Sequence, residues 1–236
     1  MDARRTTVVA EPRGQVALVS VGFPLLGALV VWGLKSIAGW VADLSWAPMQ
    51  GPFRLVASIP EPWATIGSVA VGAVLGLLVA GIAAHERLVV EVFNEGVELL
   101  RGGRHRSFDR TLVSGVFLDG KKLVLLGVDT GELARETHDL KPEELAEAFQ
   151  THGYQWLDGD PYREDYRRWV DGTPDLPPGA NALLKVRAEA LRKGDTGDAD
   201  ELRDELGRLG VVVREEKKRQ YWRLADRSRE RGPAHQ

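Results

Sequence analysis

Two uncharged apolar stretches of membrane-spanning length, Gly14 to Leu34 and Trp63 to Ala84, constrain this chain more than any other feature. They hold 21 and 22 residues without a charge, and at 1.5 Å rise per residue about 20 helical residues cross a hydrocarbon core ~30 Å thick. In lipid the backbone must satisfy its own hydrogen bonds, so a helix is favoured even where glycine and alanine would weaken a soluble one. Core helices of a globular domain usually keep a polar side, which neither stretch has. A cleaved secretory signal has an apolar segment of roughly 7 to 15 residues, shorter than the first stretch. The expectation is an uncleaved two-helix hairpin over residues 15–86, preceded by a short cytoplasmic N-terminus, 1–14.

Small residues give the second stretch a face. Ala64, Ser68, Gly72, Gly76, Ala80 and Ala84 recur at every fourth position, and Gly72 with Gly76 forms a GxxxG along which another helix can approach closely. Ser68, Gly72, Gly76 and Ala80 are therefore the expected helix-packing residues. Their partner is either the first stretch, with Gly22, Gly27 and Gly33, or a second copy of the chain in a homo-oligomer.

Charge sets the orientation. Arg4, Arg5 and Arg13 precede the first stretch and Arg87, Arg101, Arg104 and Arg106 follow the second, whereas the connection offers Lys35 and Arg54. Positive flanks stay inside, so both termini are expected in the cytoplasm. The loop from Ser36 to Pro62 is then external. Its Trp40, Trp46 and Phe53, with Trp63 beyond, stand beside Pro48, Pro52, Pro60 and Pro62 and read as interfacial anchors before they read as a ligand pocket.

The chain has no cysteine, so it has no disulfide, no thiolate metal site and no cysteine nucleophile. Its histidines, His85, His105, His138, His152 and His235, lack the spacing of a metal-binding pair. Gly102-Gly103 lacks the lysine and hydroxyl residue of a P-loop, and no G-x-G-x-x-G opens a helix after a strand. His138-Asp139 and His152 have no serine elbow nearby, and Asp158 and Asp160 sit before a proline in a turn. No catalytic residues, metal or cofactor are expected, and the protein reads as a non-enzyme.

After the second stretch the texture changes. Leu88 to Val92, Gly96 to Leu100, Leu112 to Leu118, Lys122 to Val128 and Glu132 to Glu136 are short aliphatic runs that read as strands. Asn94-Glu95-Gly96, Arg101-Gly102-Gly103 and Asp119-Gly120 supply the reversals, glycine allowing the positive φ of tight turns. Glu143 to Thr151 reads as an amphipathic helix with Leu145, Ala148 and Phe149 on one side. Antiparallel strands closed by a helix resemble the bacterial pleckstrin-homology-like (PH-like) domain, and its attachment to a two-helix anchor is similar to the YqeB family of membrane proteins. The segments that carry the resemblance are VFNEGVELLRGG, VFLDGKKLVLLG and LAEAFQTHGYQW. It implies a bacterial inner-membrane protein with a binding or scaffolding module over residues 87–157 and carries over no ligand. Arg101, Arg104, Arg106 and Arg110, joined by Lys121 and Lys122, are candidates for anionic lipid headgroups. The alternative is that these cations serve only the positive-inside bias and solvate turns.

Residues 158–179 form a proline-rich connector with Asp160-Pro161, Thr173-Pro174 and Pro177-Pro178, and a short helix is expected over Tyr162 to Val170. Tyr162, Tyr166 and Trp169 at helical spacing suggest docking onto a neighbouring domain. Asn181 to Lys193 and Asp198 to Leu209 read as two helices, ended by Gly194 and Gly210, before a hairpin of Val211 to Arg214 and Gln220 to Leu224 around Glu215 to Arg219. This unit, 180–224, resembles the C-terminal subdomain of cysteinyl-tRNA synthetases through Ala199, Asp200, Leu202, Arg203, Leu206, Gly210, Val211, Trp222 and Arg223. The resemblance implies RNA contact by Arg219, Trp222 and Arg223, with Trp222 stacking on a base; the alternative packs Trp222 as core. A charged tail, 225–236, follows and is expected to fray.

The fold class expected is therefore α+β: two transmembrane helices, a small antiparallel PH-like domain with a C-terminal helix, and a helix-helix-hairpin unit. The expected partners are the lipid bilayer, anionic headgroups, RNA through the C-terminal unit, and a protein of unknown identity.

Overall fold

The computed structural model describes residues 6–42, 60–216 and 219–226. They divide into two compact units, Ala10–Arg87 with Arg101–Arg104, and the remainder of the described chain. Trp46 and Phe53 of the connection expected to be external, the flanking Arg4, Arg5 and Arg54, and the tail from residue 227 lie outside the described residues.

The first unit is an antiparallel helical pair. Helix α1 is Arg13–Ala42 and α2 is Trp63–His85. α1 runs on past Ser36, where a loop was expected to begin, because Ser36 to Ala42 contains nothing that stops a helix. The helices meet where they lack side chains. A Cβ on Gly27 would lie 2.2 Å from the Gly72 carbonyl oxygen, one on Gly72 2.3 Å from that of Gly27, and one on Gly76 2.2 Å from that of Phe23. Ala64, Gly72, Gly76 and Ala80 are buried along this seam, with Ser68 half-buried. At one end Lys35 of α1 bonds Glu61 and Thr65, its Nζ donating to Thr65 Oγ1 at 3.0 Å. At the other, Arg87 pairs with Glu11 at 3.1 Å.

The second unit is built on three antiparallel sheets. Strands β1 (Thr7–Val9), β2 (Val89–Val92), β3 (Gly96–Arg101) and β4 (Arg104–Asp109) form the first, in chain order. β1 comes from the other side of both apolar helices and pairs Thr7 with Val92 and Val9 with Val90. The sheet domain expected to start at residue 87 thus includes a strand from the segment assigned to a separate N-terminus. Strands β5 (Val113–Asp119), β6 (Lys122–Gly127) and β7 (Glu132–Thr137) form the second sheet, and no closed barrel results. Helix α3 (Pro142–Thr151) buries Leu145, Ala148 and Phe149 against Val90, Val92, Val97, Val116, Leu123 and Leu125.

The second sheet is covered on both faces, since side chains alternate along a strand. Val116, Leu123 and Leu125 enter the core under α3, whereas Phe117, Val124 and Leu126 are buried on the other face against Leu157 and Tyr162. This is why β6 reads as an unbroken apolar run instead of an alternation.

The chain then makes a 3-10 turn at Arg163–Asp165 and a two-residue strand β8 (Arg167–Arg168). The helix expected over Tyr162 to Val170 is not formed; its aromatics pack in two directions, Tyr162 and Tyr166 toward Arg223 and Trp169 toward the C-terminal core. Tyr162 packs on β5 and β6, and Trp169 joins the C-terminal core with its Nε1 donating to Asn181 Oδ1 at 3.0 Å. Helices α4 (Ala180–Lys193) and α5 (Thr196–Arg208) precede β9 (Val211–Glu216) and β10 (Arg219–Leu224), with sheet order β8-β10-β9. Asp195 caps α5 by accepting from the Asp198 N–H at 3.0 Å. Gly194 and Gly210 both adopt the left-handed conformation that follows a helix, φ 79° and 80°.

Candidate functional site

The turn between β3 and β4 sits at the end of α2. Gly102 and Gly103 take φ of 58° and 72°, which side chains other than glycine rarely adopt. The Gly102 N–H donates to the His85 carbonyl at 2.9 Å, satisfying one of the carbonyls left open at the end of the helix. Arg101 and Arg104 flank this glycine pair and both have partners; Arg104 is exposed and Arg101 half-buried.

The other four expected headgroup cations lie in the sheet-bearing unit and are committed to contacts within it. Arg106 donates to the Leu133 carbonyl at 2.7 Å and faces Glu136 at 3.5 Å, bridging β4 and β7. Arg110 donates to the Gly153 carbonyl at 2.5 Å and stacks 4.0 Å over the Tyr154 ring, whose hydroxyl is pushed above its usual pKa by burial. Lys121 pairs with exposed Asp139 at 2.8 Å. Lys122 lies 3.8 Å from Glu215.

That last contact belongs to a charge network the sequence did not announce. Glu215 on β9 accepts from Arg187 and, at 2.8 Å, from Arg203. Arg187 is fully buried, donating also to the Ala199 carbonyl at 2.9 Å and to Gln220 Oε1 at 2.7 Å; Gln220 in turn donates to the Leu184 carbonyl at 2.8 Å. Burial, then the Arg203 charge, lowers the Arg187 pKa to about 9. Lys122 is lowered to about 8, first by burial and then by Arg203. Alongside, Arg135 is held by Glu132 and by Asp119, each at 2.8 Å, and Arg214 approaches Asp119 at 3.7 Å. Burial alone would raise the Asp119 pKa, but Arg135, Arg214 and Lys122 outweigh it and hold the carboxyl below its usual value. A helix-surface arginine in sequence is thus the centre of a buried cluster. Only the neighbouring Gln220 and Glu215, both on the C-terminal hairpin, hinted at polar demand there.

The C-terminal hairpin separates the three residues expected to meet RNA. Arg219 is exposed. Trp222 is 3% exposed and packs with Ala180, Leu184, Leu206, Val211 and Val213. Arg223 is equally buried, its guanidinium 4.6 Å from the Tyr162 ring centre and 5.4 Å from that of Tyr166, whose hydroxyl is pushed well above its usual pKa by burial. In this conformation only Arg219 of the three is presented to solvent.

His152 at the end of α3 joins β1 to the β2–β3 turn, its Nε2 2.9 Å from Thr7 Oγ1 and its Nδ1 2.7 Å from Asn94 Oδ1. Among the described residues, no three His, Asp or Glu side chains converge to hold a metal ion.

The family model for the YqeB-like bacterial PH domain matches residues 7–157, beginning on the first residue of β1 and spanning the apolar hairpin. The chain belongs to this family. Uncharacterized protein YqeB of Bacillus subtilis (strain 168) is 36% identical over 221 residues, covering 93% of this chain and 92% of that one. A second family model, the cysteinyl-tRNA ligase anticodon binding domain, matches residues 173–223, which contain α4, α5 and most of the closing hairpin. No solved structure gives a significant match. The YqeB-like match accounts for β1 and for the hairpin inserted between β1 and β2, while the residues that cover the outer face of β5–β7 lie at its edge and beyond it.

Proposed function

We propose that this protein is a two-span, membrane-anchored binding or scaffolding protein that holds its PH-like sheets and C-terminal unit at the cytoplasmic face of a bacterial inner membrane. The observation that carries the reading is the apolar surface left uncovered on the helical pair. Leu18, Leu25, Leu29, Leu78 and Ile82 are all more than half exposed, and the apolar span of α1 buries none of its length. A soluble monomer rarely exposes more than a few hundred Å² of contiguous apolar surface, whereas lipid tails solvate it without cost. Pairing of β1 with β2 supports a common side for the two flanks, because strands bracketing the hairpin share one ladder. The cation-rich flanks support the cytoplasm as that side. The turn Arg101–Arg104, held to the end of α2, is the part of the cation set best placed for anionic headgroups.

The absence of native cysteine makes the test direct. Single substitutions Thr6→Cys and Asp226→Cys are expected to resist a membrane-impermeant maleimide in intact cells, and Ser58→Cys, between the two helices, to react. Labelling of Thr6→Cys in intact cells, or release of the full chain from membranes by alkaline carbonate, overturns the reading.

A second reading, RNA binding by a membrane-tethered chain, is supported by the match over residues 173–223. Burial of Trp222 and Arg223 weighs against a base-stacking role for the first and a phosphate contact for the second. Full-length protein in detergent that retards tRNA with a steep salt dependence would favour this reading.

A further inference from the structure

We propose that the C-terminal end of α2 and the β3–β4 turn form a discrete site for one anionic phospholipid, with an acyl chain in a trough on α2 and the headgroup at the arginine turn. The inference rests on the membrane reading above and deepens it. The trough is lined by Leu77, Leu78, Gly81 and Ile82, and it ends at His85 and Glu86. Gly81 makes its floor, since nothing lies within 4 Å of the position a Cβ would take there. It lies off the face of α2 that packs on α1, where Gly72, Gly76 and Ala80 are buried, and Leu77, Leu78 and Ile82 stand well exposed around it.

The polar end is built by the β3–β4 turn. Its Gly102 N–H is fixed on the His85 carbonyl, and the His85 imidazole lies beside Gly102 and Gly103, whose positive φ lets the chain turn back at the helix end. That close approach places the Arg101–Arg104 turn in the same compact unit as the helix end. The outcome is an apolar trough on a span-length helix that terminates at His85 and Glu86, where the turn carrying Arg101 and Arg104 is held to the helix end. A phospholipid with a net negative headgroup matches both halves. A zwitterionic lipid matches the trough alone. A second copy of α2 fits the trough but brings its own arginine turn to a self-complementary contact, setting like charges together.

The test uses the full chain released from membranes into mild detergent, with lipid retention read by native mass spectrometry after exchange into equimolar phosphatidylglycerol and phosphatidylcholine. Wild type is expected to keep one phosphatidylglycerol. Each arginine at an anionic surface contributes about fivefold, so Arg101→Gln with Arg104→Gln should cut the preference on the order of 25-fold. Gly81→Leu fills the trough without meeting a neighbour and should abolish retention, while Gly67→Leu, also in open space on α2, should not. Equal retention by wild type and Gly81→Leu overturns the site, as does a wild-type dimer that Gly81→Leu converts to monomer. Failure of the membrane reading itself is separate: the full chain would then be recovered from cells in the aqueous fraction without detergent.

Discussion

The backbone N–H of Asp226 donates to Thr130 Oγ1 at 2.9 Å, tying the residue two places beyond β10 to the turn between β6 and β7. Thr130 is buried and takes a φ of 64°, unusual for a β-branched residue. With the Tyr162–Arg223 stack and the Glu215 cluster, this bond makes the anticodon-domain-like unit a fixed cover for the β5–β7 sheet. Phe117, Val124 and Leu126 are buried against Leu157 and Tyr162, and the Arg223 stack holds Tyr162 in place.

Phe117→Ala should therefore destabilise the protein as a core truncation does, by about 3 to 5 kcal/mol, even though Phe117 lies on the face away from α3. Thermal unfolding of the full chain in detergent reads the loss. A change no larger than that of an exposed substitution such as Thr111→Ala would show that the cover is not held.

Gly72→Ala places a methyl 2.3 Å from the Gly27 carbonyl oxygen, a distance that backbone cannot accommodate without shifting. The helical pair should separate or re-register, read as a fall in the thermal unfolding midpoint of the full chain in detergent. Gly67→Ala meets nothing within 4 Å and should leave that midpoint nearly unchanged.

Lys122 has a folded pKa of about 8 against an ordinary 10.5. Between those values the unfolded chain binds the proton more fully than the folded one, so stability rises with pH through that window and the contribution is lost again as pH falls toward 8. Lys122→Met should flatten this rise and, because Arg187 and Arg203 still hold Glu215, cost little at neutral pH. Unfolding midpoints of the two proteins across the window, subtracted, isolate the lysine from the other groups. A difference that does not change with pH would refute the burial of its amine.

Arg187→Met removes the donor shared by the Ala199 carbonyl, Gln220 and Glu215; Arg203 still holds Glu215, but Gln220 Oε1 loses its donor in a buried site. Leaving a buried acceptor unsatisfied typically costs about 1 to 3 kcal/mol. Limited trypsin digestion should then release the chain beyond Leu157 far faster than in wild type. Unchanged digestion would mean that Arg187 is dispensable for docking.

The two helices and strands β2, β3, β5, β6 and β7 were legible because charge exclusion and short aliphatic runs are local signals. β1 was not, since three residues carry too little pattern and its partner lies beyond the whole hairpin. β4, read from Arg104 to Asp109, is an edge strand with a single buried residue, Phe108, so no alternation betrays it. The cations were visible as residue types, but their acceptors, the Leu133 and Gly153 carbonyls, Asp139 and Glu215, are remote in sequence. For Trp222 the packing alternative, core against the helix pair, describes its surroundings in the structure, where it lies buried among Ala180, Leu184, Leu206, Val211 and Val213.

The strand Thr7–Val9 leaves the ribosome first, yet its partner emerges only after both greasy helices have been made. On the two-span reading proposed above, its register with Val90 and Val92 is a checkpoint on insertion: a nascent chain whose second helix failed to enter the bilayer would strand the two halves of this ladder on opposite sides, and the sheet would go uncompleted.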